Sequence, residues 1–226
     1  MKVLITGASG SIGGECLAHC LSHPDISTVV AFVRRDLPAD VSNHQKLKCV
    51  LIKDFAHWPE DVLQAHADAA GMIWAIGSYN GSRTADLEYP MAFLESMARI
   101  LETRPARPRF KYVHLGGMFT SHDQNRKLCF LEYARKIRGL GEASALKFEE
   151  SNGDKWKILV VRPGGVATKA MMGSQTVASI LGENWCVRIE ELGAFMTHLA
   201  INGEEEGSVV ENAHIVRKGR ELLKPQ

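Results

Sequence analysis

Two hydrophobic patterns alternate along the chain. Short, continuous apolar runs rich in β-branched residues stand at 3–5, 27–33, 47–52, 71–77, 110–116 and 156–162. These predict strands, the run at 27–33 being of the kind buried on both faces and those at 3–5 and 156–162 also reading as buried. Between them the apolar positions recur at three- and four-residue steps, as at Leu87, Met91, Leu94, Met97, Ala98 and Leu101, which predicts helices. Helices are read at 15–21, 60–70, from about 84 to 101 with Pro105 and Pro108 behind it, 128–150, 171–181 and 190–201, with a last strand near 213–217. Strands alternating with helices imply a doubly wound parallel α/β sheet. At 226 residues, 45% of them apolar, the chain suffices for one good core and is short for two. The expectation is one domain spanning 1–226, with residues from about 165 onward adding a small C-terminal helical cap over a substrate. No internal repeat, linker or low-complexity segment interrupts it.

The first run feeds directly into Thr6-Gly7-Ala8-Ser9-Gly10-Ser11-Ile12-Gly13, with glycines three residues apart and a helix-compatible stretch behind them. Glycine permits a sharp bend and close backbone approach, while the new helix turns its unpaired N–H groups and positive dipole end toward an anion. Gly7, Ser9, Gly10, Ser11, Ile12 and Gly13 therefore read as a turn that cradles the pyrophosphate of a dinucleotide. The second run ends at Arg34-Arg35. In a dinucleotide fold that position meets the adenosine ribose, where an acid pairs with the 2′-hydroxyl of NAD and an arginine with the 2′-phosphate of NADP. NADP is favoured over NAD on this ground, the alternative being that both arginines are solvated loop charges. The fourth run closes with Ala75, Ile76 and Gly77, small enough to leave room for the ribose side of a cofactor. The polar segment 79–83 after it lies where a substrate entrance is expected.

The segment from Thr6 to Gly13 resembles the TGxxGxxG signature of the extended and atypical short-chain dehydrogenase/reductases. Arg162-Pro163-Gly164, at the end of the sixth run, is a second resemblance, and Asp86-Leu-Glu-Tyr-Pro90 looks like the corresponding helix of those families. Together they cover essentially the whole chain and imply an NAD(P)-binding Rossmann fold. The resemblance also implies Asp54 beside the adenine amino group, unless it is a turn carboxylate, and Pro163, Gly164 and Val166 on the nicotinamide side. The implied activity is hydride transfer with a small carbonyl or alcohol. Such enzymes generally use a serine at the end of the fifth strand and a tyrosine followed four residues later by lysine. This chain departs from that pattern. It reads His114-Leu115-Gly116-Gly117 at the strand end, with Thr120 and Ser121 nearby, and Tyr133 is followed at the fourth position by Ile137. Lys136 lies about 60° from Tyr133 around a helix and Arg138 about 140°. Tyr133 is the candidate proton donor or acceptor with Lys136 or Arg138 in place of the lysine, or else a surface packing residue. His114 is a candidate acid or base, or a neutral core histidine. Two other uses of the scaffold stay open: a regulatory protein that senses NADP, and a non-redox isomerase, cyclase or lyase.

Charge narrows the partners. Twenty-seven basic and 26 acidic residues leave a formal charge of +1, with no long like-charge run, which argues against nucleic acid. No apolar stretch approaches the roughly 20 residues of a membrane span, and Met1 to Ile5 enters the glycine turn without a signal-peptide core, so a soluble, cytoplasmic protein is expected. Five cysteines form no disulfide-like framework and suit a reducing compartment. Cys16, His19, Cys20 and His23 share one helix face, but four ligands on one straight helix do not surround a tetrahedral ion, so packing rather than metal is expected. Met171, Met172, Trp185 and Phe195 are candidates for an apolar pocket wall or for the core. The long fourth and fifth sheet-flanking helices often pair in this superfamily, which makes a homodimer a candidate assembly.

Overall fold

The computed structural model describes residues 1–103, 108–169 and 182–224. Its strands are β1 (Lys2–Thr6), β2 (Thr28–Val33), β3 (Leu47–Leu51), β4 (Gly71–Trp74), β5 (Phe110–Leu115), β6 (Trp156–Arg162), β7 (Gly165–Ala167), β8 (Cys186–Arg188) and β9 (Val209–Glu211). Seven of them form one sheet in the order β3-β2-β1-β4-β5-β6-β9 with every pairing parallel, and β7 pairs with β8 apart from it. The chain runs outward from β1 to β3, then crosses back to β4 on the other side of β1. That reversal opens a crevice at the carboxyl ends of β1 and β4, the place where open α/β sheets bind ligands.

Helices cover both faces: α1 (Ser11–Ser22), α2 (Ala39–Ser42), α3 (Glu60–Ala65), α4 (Tyr89–Glu102) entered through a π-helical turn at Thr84–Glu88, α5 (Glu132–Asn152), α6 (Ile189–Asn202) and α7 (Asn212–Leu222). Alternate strand residues point to opposite layers. Val3, Ile5, Val29, Ala31, Ile73, Val113 and Leu159 pack with residues of α1, α6 and α7. Leu4, Val30, Phe32, Met72, Trp74, Tyr112 and Ile158 pack with Trp58, Leu63, Phe93 and Met97 on the other side. Each buried Val, Leu, Ile, Phe or Met among them contributes about 1.5–3 kcal/mol, which is why the runs are predominantly apolar rather than strictly alternating.

The structure departs from the sequence reading where tertiary packing decides. β3 is an edge strand, and Lys48, Cys49 and Leu51 on it are exposed, unlike the residues of the central strands. α3 stops at Ala65, five residues early, in a chain of turns that returns Ala70 to the Lys2 carbonyl. α5 starts at Glu132 rather than 128, after Leu131 in the left-handed region at φ 45°. The strand expected at 213–217 is a helix: Asn212, Ile215, Val216 and Gly219 are buried at three- and four-residue steps in α7, and the strand is β9 just before it. α6 packs on α1, β4 and β5, so Phe195 is wholly buried in the sheet-flanking layer and is no pocket wall. The expected helix at 171–181, with Met171 and Met172, and Pro105 lie outside the described residues. Cys16 and Cys20 face α6, with Cys16 Sγ 3.9 Å from Met196 Sδ and Cys20 Sγ 3.6 Å from Thr197 Oγ1. Burial raises both thiols, Cys20 to about 12, so both stay protonated. No helix among the described residues is long and apolar enough to cross a membrane.

Candidate functional site

The glycine turn is assembled by contacts at two of its glycines. Gly7 has φ +73°, and a β-carbon there would stand 2.5 Å from the Ala75 carbonyl oxygen of the neighbouring strand's end. A β-carbon at Gly13 would overlap the Gly7 carbonyl, so only glycine lets α1 settle this deeply against the turn. The Gly10 N–H donates to the Gly7 carbonyl at 2.9 Å, and Gly10 is the N-cap of α1, with no acidic residue in the first turn to compete for an anion. The helix N-terminus thus sits over the β1–β4 crevice with its dipole directed there.

Two cavities flank this turn. One, of about 340 Å³, is lined by Gly7, Ala8, Ser9, Phe32, Val33, Arg34, Arg35, Phe55 and Ile76. Its walls carry two guanidinium groups and no carboxylate. The other, of about 750 Å³, runs from Gly10, Ser11, Ile12 and Gly13 past Ala75, Gly77 and Ser78 to Gly116, Gly117 and Thr120. Pro163, Gly164 and Val166 form its floor on the β6 side. Every residue assigned to a cofactor from the sequence lines one of the two, except Asp54. The Asp54 carboxylate accepts from the Ala56 N–H at 3.0 Å and meets His57 Nδ1 at 2.7 Å, bonds that hold it below the usual carboxylate range; it is a turn residue, and its neighbour Phe55 faces the cavity instead. The pair of cavities, one glycine-floored and one basic, fits the extended shape and charge of a nicotinamide dinucleotide.

On α5 the predicted tyrosine motif is out of phase with the cavity. Tyr133 is 60% exposed and does not line it, and Lys136 is paired with Glu132 Oε1 at 2.6 Å. The cavity face is Leu131, Arg135 and Arg138. The position four before Arg138 is Ala134, buried beneath Gly81, so the helix brings no phenol to the cavity. One residue of offset turns a side chain by about 100°, enough to take Tyr133 out of the site. Arg138 is fixed from several sides. Its guanidinium donates to the Ser78 carbonyl and, at 3.0 Å, to that of Tyr79, and Asp86 stands 4.0 Å from its Nε. Asp86 in turn accepts from the Ser78 and Ser82 N–H groups at 3.0 and 2.7 Å, tying the loop after β4 to the helix. Glycines set how deep α5 lies: a β-carbon at Gly139 would overlap the Ser121 carbonyl and one at Gly141 that of Asp86. A β-carbon at Gly117 would stand 3.7 Å from Arg138 Nη1 and 3.9 Å from Thr120 Oγ1, so guanidinium and hydroxyl converge over that residue.

The missing serine has a physical cause at Gly116. A β-carbon there would overlap Oε1 of Glu142, a wholly buried carboxylate of α5. Its other oxygen accepts from Arg162 Nε and Nη2 at 2.9 and 2.7 Å and meets His122 at 3.1 Å. Burial pulls Arg162 down, but the Glu142 and Glu211 carboxylates outweigh it and hold its pKa above the ordinary value. This buried pair clamps the end of β6 to α5 and occupies the space a serine would need. His114 lies in the core, stacked on Tyr112 at 6.0 Å, outside the cavity lining; burial lowers its pKa and keeps it neutral, so its position is that of a core histidine.

Sequence reasoning missed Arg135, Asp86, Phe55, Phe119 and Phe130 as cavity residues. A signal for the first existed: Arg135, Arg138 and Glu142 follow one another at three- and four-residue steps, a polar stripe on a helix whose next positions are glycines.

By sequence, no protein-family model and no curated protein matches the chain. Solved structures match its fold. The oxidoreductase ylbE from Lactococcus lactis aligns with a TM-score of 0.66 at 18% identity, over 99% of this chain and 97% of that one. Gre2 from Candida albicans, solved in complex with NADPH, aligns with a TM-score of 0.65 at 14% identity, over 94% and 78%. An oxidoreductase of the short-chain dehydrogenase/reductase family from Burkholderia thailandensis aligns with a TM-score of 0.65 at 17% identity, over 96% and 92%.

Proposed function

We propose that this chain, built on the short-chain dehydrogenase/reductase fold, binds NADP and transfers hydride to or from a carbonyl or alcohol held in the larger cavity. The observation that carries the cofactor choice is the smaller cavity, where Arg34 and Arg35 stand at the end of β2 and no acid is present to receive a 2′-hydroxyl. Gly7, Ser9 and Gly10 to Gly13 would hold the pyrophosphate, and Pro163, Gly164 and Val166 the nicotinamide side.

When bound, the nicotinamide supplies or accepts the hydride. The residues of the chain handle the oxygen. In the reducing direction the carbonyl oxygen becomes an alkoxide, and the fixed guanidinium of Arg138 beside Gly117 stabilises that charge, while the Thr120 hydroxyl is committed to the Gly117 carbonyl at 2.6 Å. Arginine keeps its proton at any working pH, so the proton that completes the alcohol comes from another group. Tyr79 is the tyrosine among the residues that line the cavity, and its main chain is held by Arg138. It supplies the proton in the role that Tyr133, outside the cavity, does not fill.

A second reading follows from Ala134: with no phenol on the cavity face of α5, the same site serves a protein that senses NADP without turnover. The two readings separate in one experiment, NADPH binding by fluorescence followed by oxidation of NADPH across a panel of carbonyls. Binding without oxidation of any carbonyl removes the redox reading and leaves the sensor. For the cofactor, Arg34→Ala is expected to weaken NADPH by about ten- to a hundredfold, the loss of charge-assisted hydrogen bonds, and NADH by less than about threefold. Equal losses would remove the 2′-phosphate argument.

A further inference from the structure

We propose that the outer part of the larger cavity is a subsite for a flat, aromatic substrate that carries a carboxylate, with Arg135 as the partner of the anion; this rests on reading that cavity as the substrate site. Half of the large apolar side chains exposed among the described residues gather there. Tyr79, Phe119, Phe130 and Leu131 line the cavity, and Trp185 lies against Phe119 with ring centroids 6.3 Å apart. Phe119 meets Phe130 edge to face at 5.6 Å. So much aromatic surface left in water at one place marks a binding surface, and rings set in this way accept a planar apolar body.

Arg135 supplies the charge. Its guanidinium carbon is 4.5 Å from the centroid of Phe130 and 5.8 Å from that of Phe119. Nε donates to the Phe119 carbonyl at 2.6 Å and Nη1 to that of Phe130 at 3.5 Å. Two of five donors are thus used, and three remain. No carboxylate among the described residues pairs with it: Glu132 is taken by Lys136, and Asp86 faces Arg138. A guanidinium pinned by two carbonyls, set between aromatic rings and left without a counter-ion, is organised in advance for a planar anion. A carboxylate bound there is held bidentately while its aromatic body rests on the rings. Arg138 lies one helical turn deeper on the same face, beside Gly117, which places the reacting oxygen inward of the carboxylate.

The test uses the full chain saturated with NADPH and reads binding by calorimetry, not turnover. The probes are 2-naphthoate, its uncharged isostere 2-naphthamide, and cyclohexanecarboxylate. The expected result is that 2-naphthoate binds about tenfold or more tightly than either of the others, the worth of one charge-assisted contact or one stacked ring. In Arg135→Met, 2-naphthoate and 2-naphthamide should bind alike, and 2-naphthamide should bind as it does to the parent within about twofold. Arg135→Lys, which keeps the charge and loses the fork, should fall between. Equal affinity of the parent for naphthoate and naphthamide overturns the proposal, as does a naphthoate preference that survives Arg135→Met. Displacement of 2-naphthoate by rising NADPH would place the anion in the cofactor's phosphate site and overturn it as well. Because no reaction is read, a chain that binds 2-naphthoate as described but oxidises no NADPH would defeat the redox reading alone.

Discussion

At the scale of single residues, the cavity distinguishes three tyrosines that the sequence does not. Tyr112 is in the core, Tyr133 is in solvent, and Tyr79, though 78% exposed, lines the cavity. Tyr79→Phe is therefore expected to lower kcat about a hundredfold, as for removal of a general acid, with NADPH affinity unchanged, while Tyr133→Phe leaves steady-state rates at the parent level. A drop of kcat in Tyr133→Phe alone would reverse the assignment. Gly116 offers a test of packing. Gly116→Ala presses a methyl group into Glu142 Oε1, and the Arg162 clamp prevents that carboxylate from yielding. The expected cost is about 1–3 kcal/mol in urea unfolding. An unchanged midpoint would show that the buried pair gives way freely. The glycine turn was legible in the sequence because its chemistry is local: three glycines, a strand before and a helix after. The catalytic assignment was not, because placing Tyr133 required the phase of α5, and that phase is set by Gly139 and Gly141 seating on carbonyls of two distant loops.

Elements show the same division. β1, β2, β4, β5 and β6 were readable as predominantly apolar runs because both faces of each are covered. β3 has the same composition, yet its edge position leaves half of it in water, which pattern alone does not reveal. In the segment 213–217 a short apolar pair was read as a strand, while the wider spacing of Ile215, Val216 and Gly219 belongs to a helix resting on α6. Within the stretch from about 165 onward expected to cap a substrate, α6 and α7 belong to a sheet-flanking layer, whereas Gly165 and Val166 line the larger cavity: Gly193 lies so close to α1 that a β-carbon there would crowd Glu15 and His19. The aromatic residues that line the cavity come from the loop after β4 and the loop between β5 and α5, neither of which has a periodicity to read.

For the whole molecule, titration of histidine sets the acid side of stability. His19, His66, His114 and His198 all have pKa values lowered by burial from the usual 6.5. The unfolded chain takes up these protons near pH 6.5 while the folded chain does not, so unfolding gains protons as pH falls. Stability is complete above about pH 7 and declines from 6.5 downward until the folded-state values are passed. Thermal melts should show Tm flat from pH 8 to 7 and falling by several degrees by pH 5.5; a Tm that holds or rises over that interval would contradict the burial of these rings. Exposed Asp54 and Glu132, whose values are lowered by hydrogen bonds to Ala56 and to Lys136 respectively, act only at lower pH.

The contact between Gly7 and the end of β4 bears on how the molecule comes into being. The motif that looks most self-contained on paper is shaped by the Ala75 carbonyl pressed against it, and β4 joins β1 only after the chain has gone out to the sheet edge and returned. A peptide carrying the glycine motif alone would lack the wall that shapes it. The turn thus takes its full shape only where β1 and β4 are paired, a contact between segments distant in sequence. A dinucleotide bound there would stabilise the state in which that pairing is made.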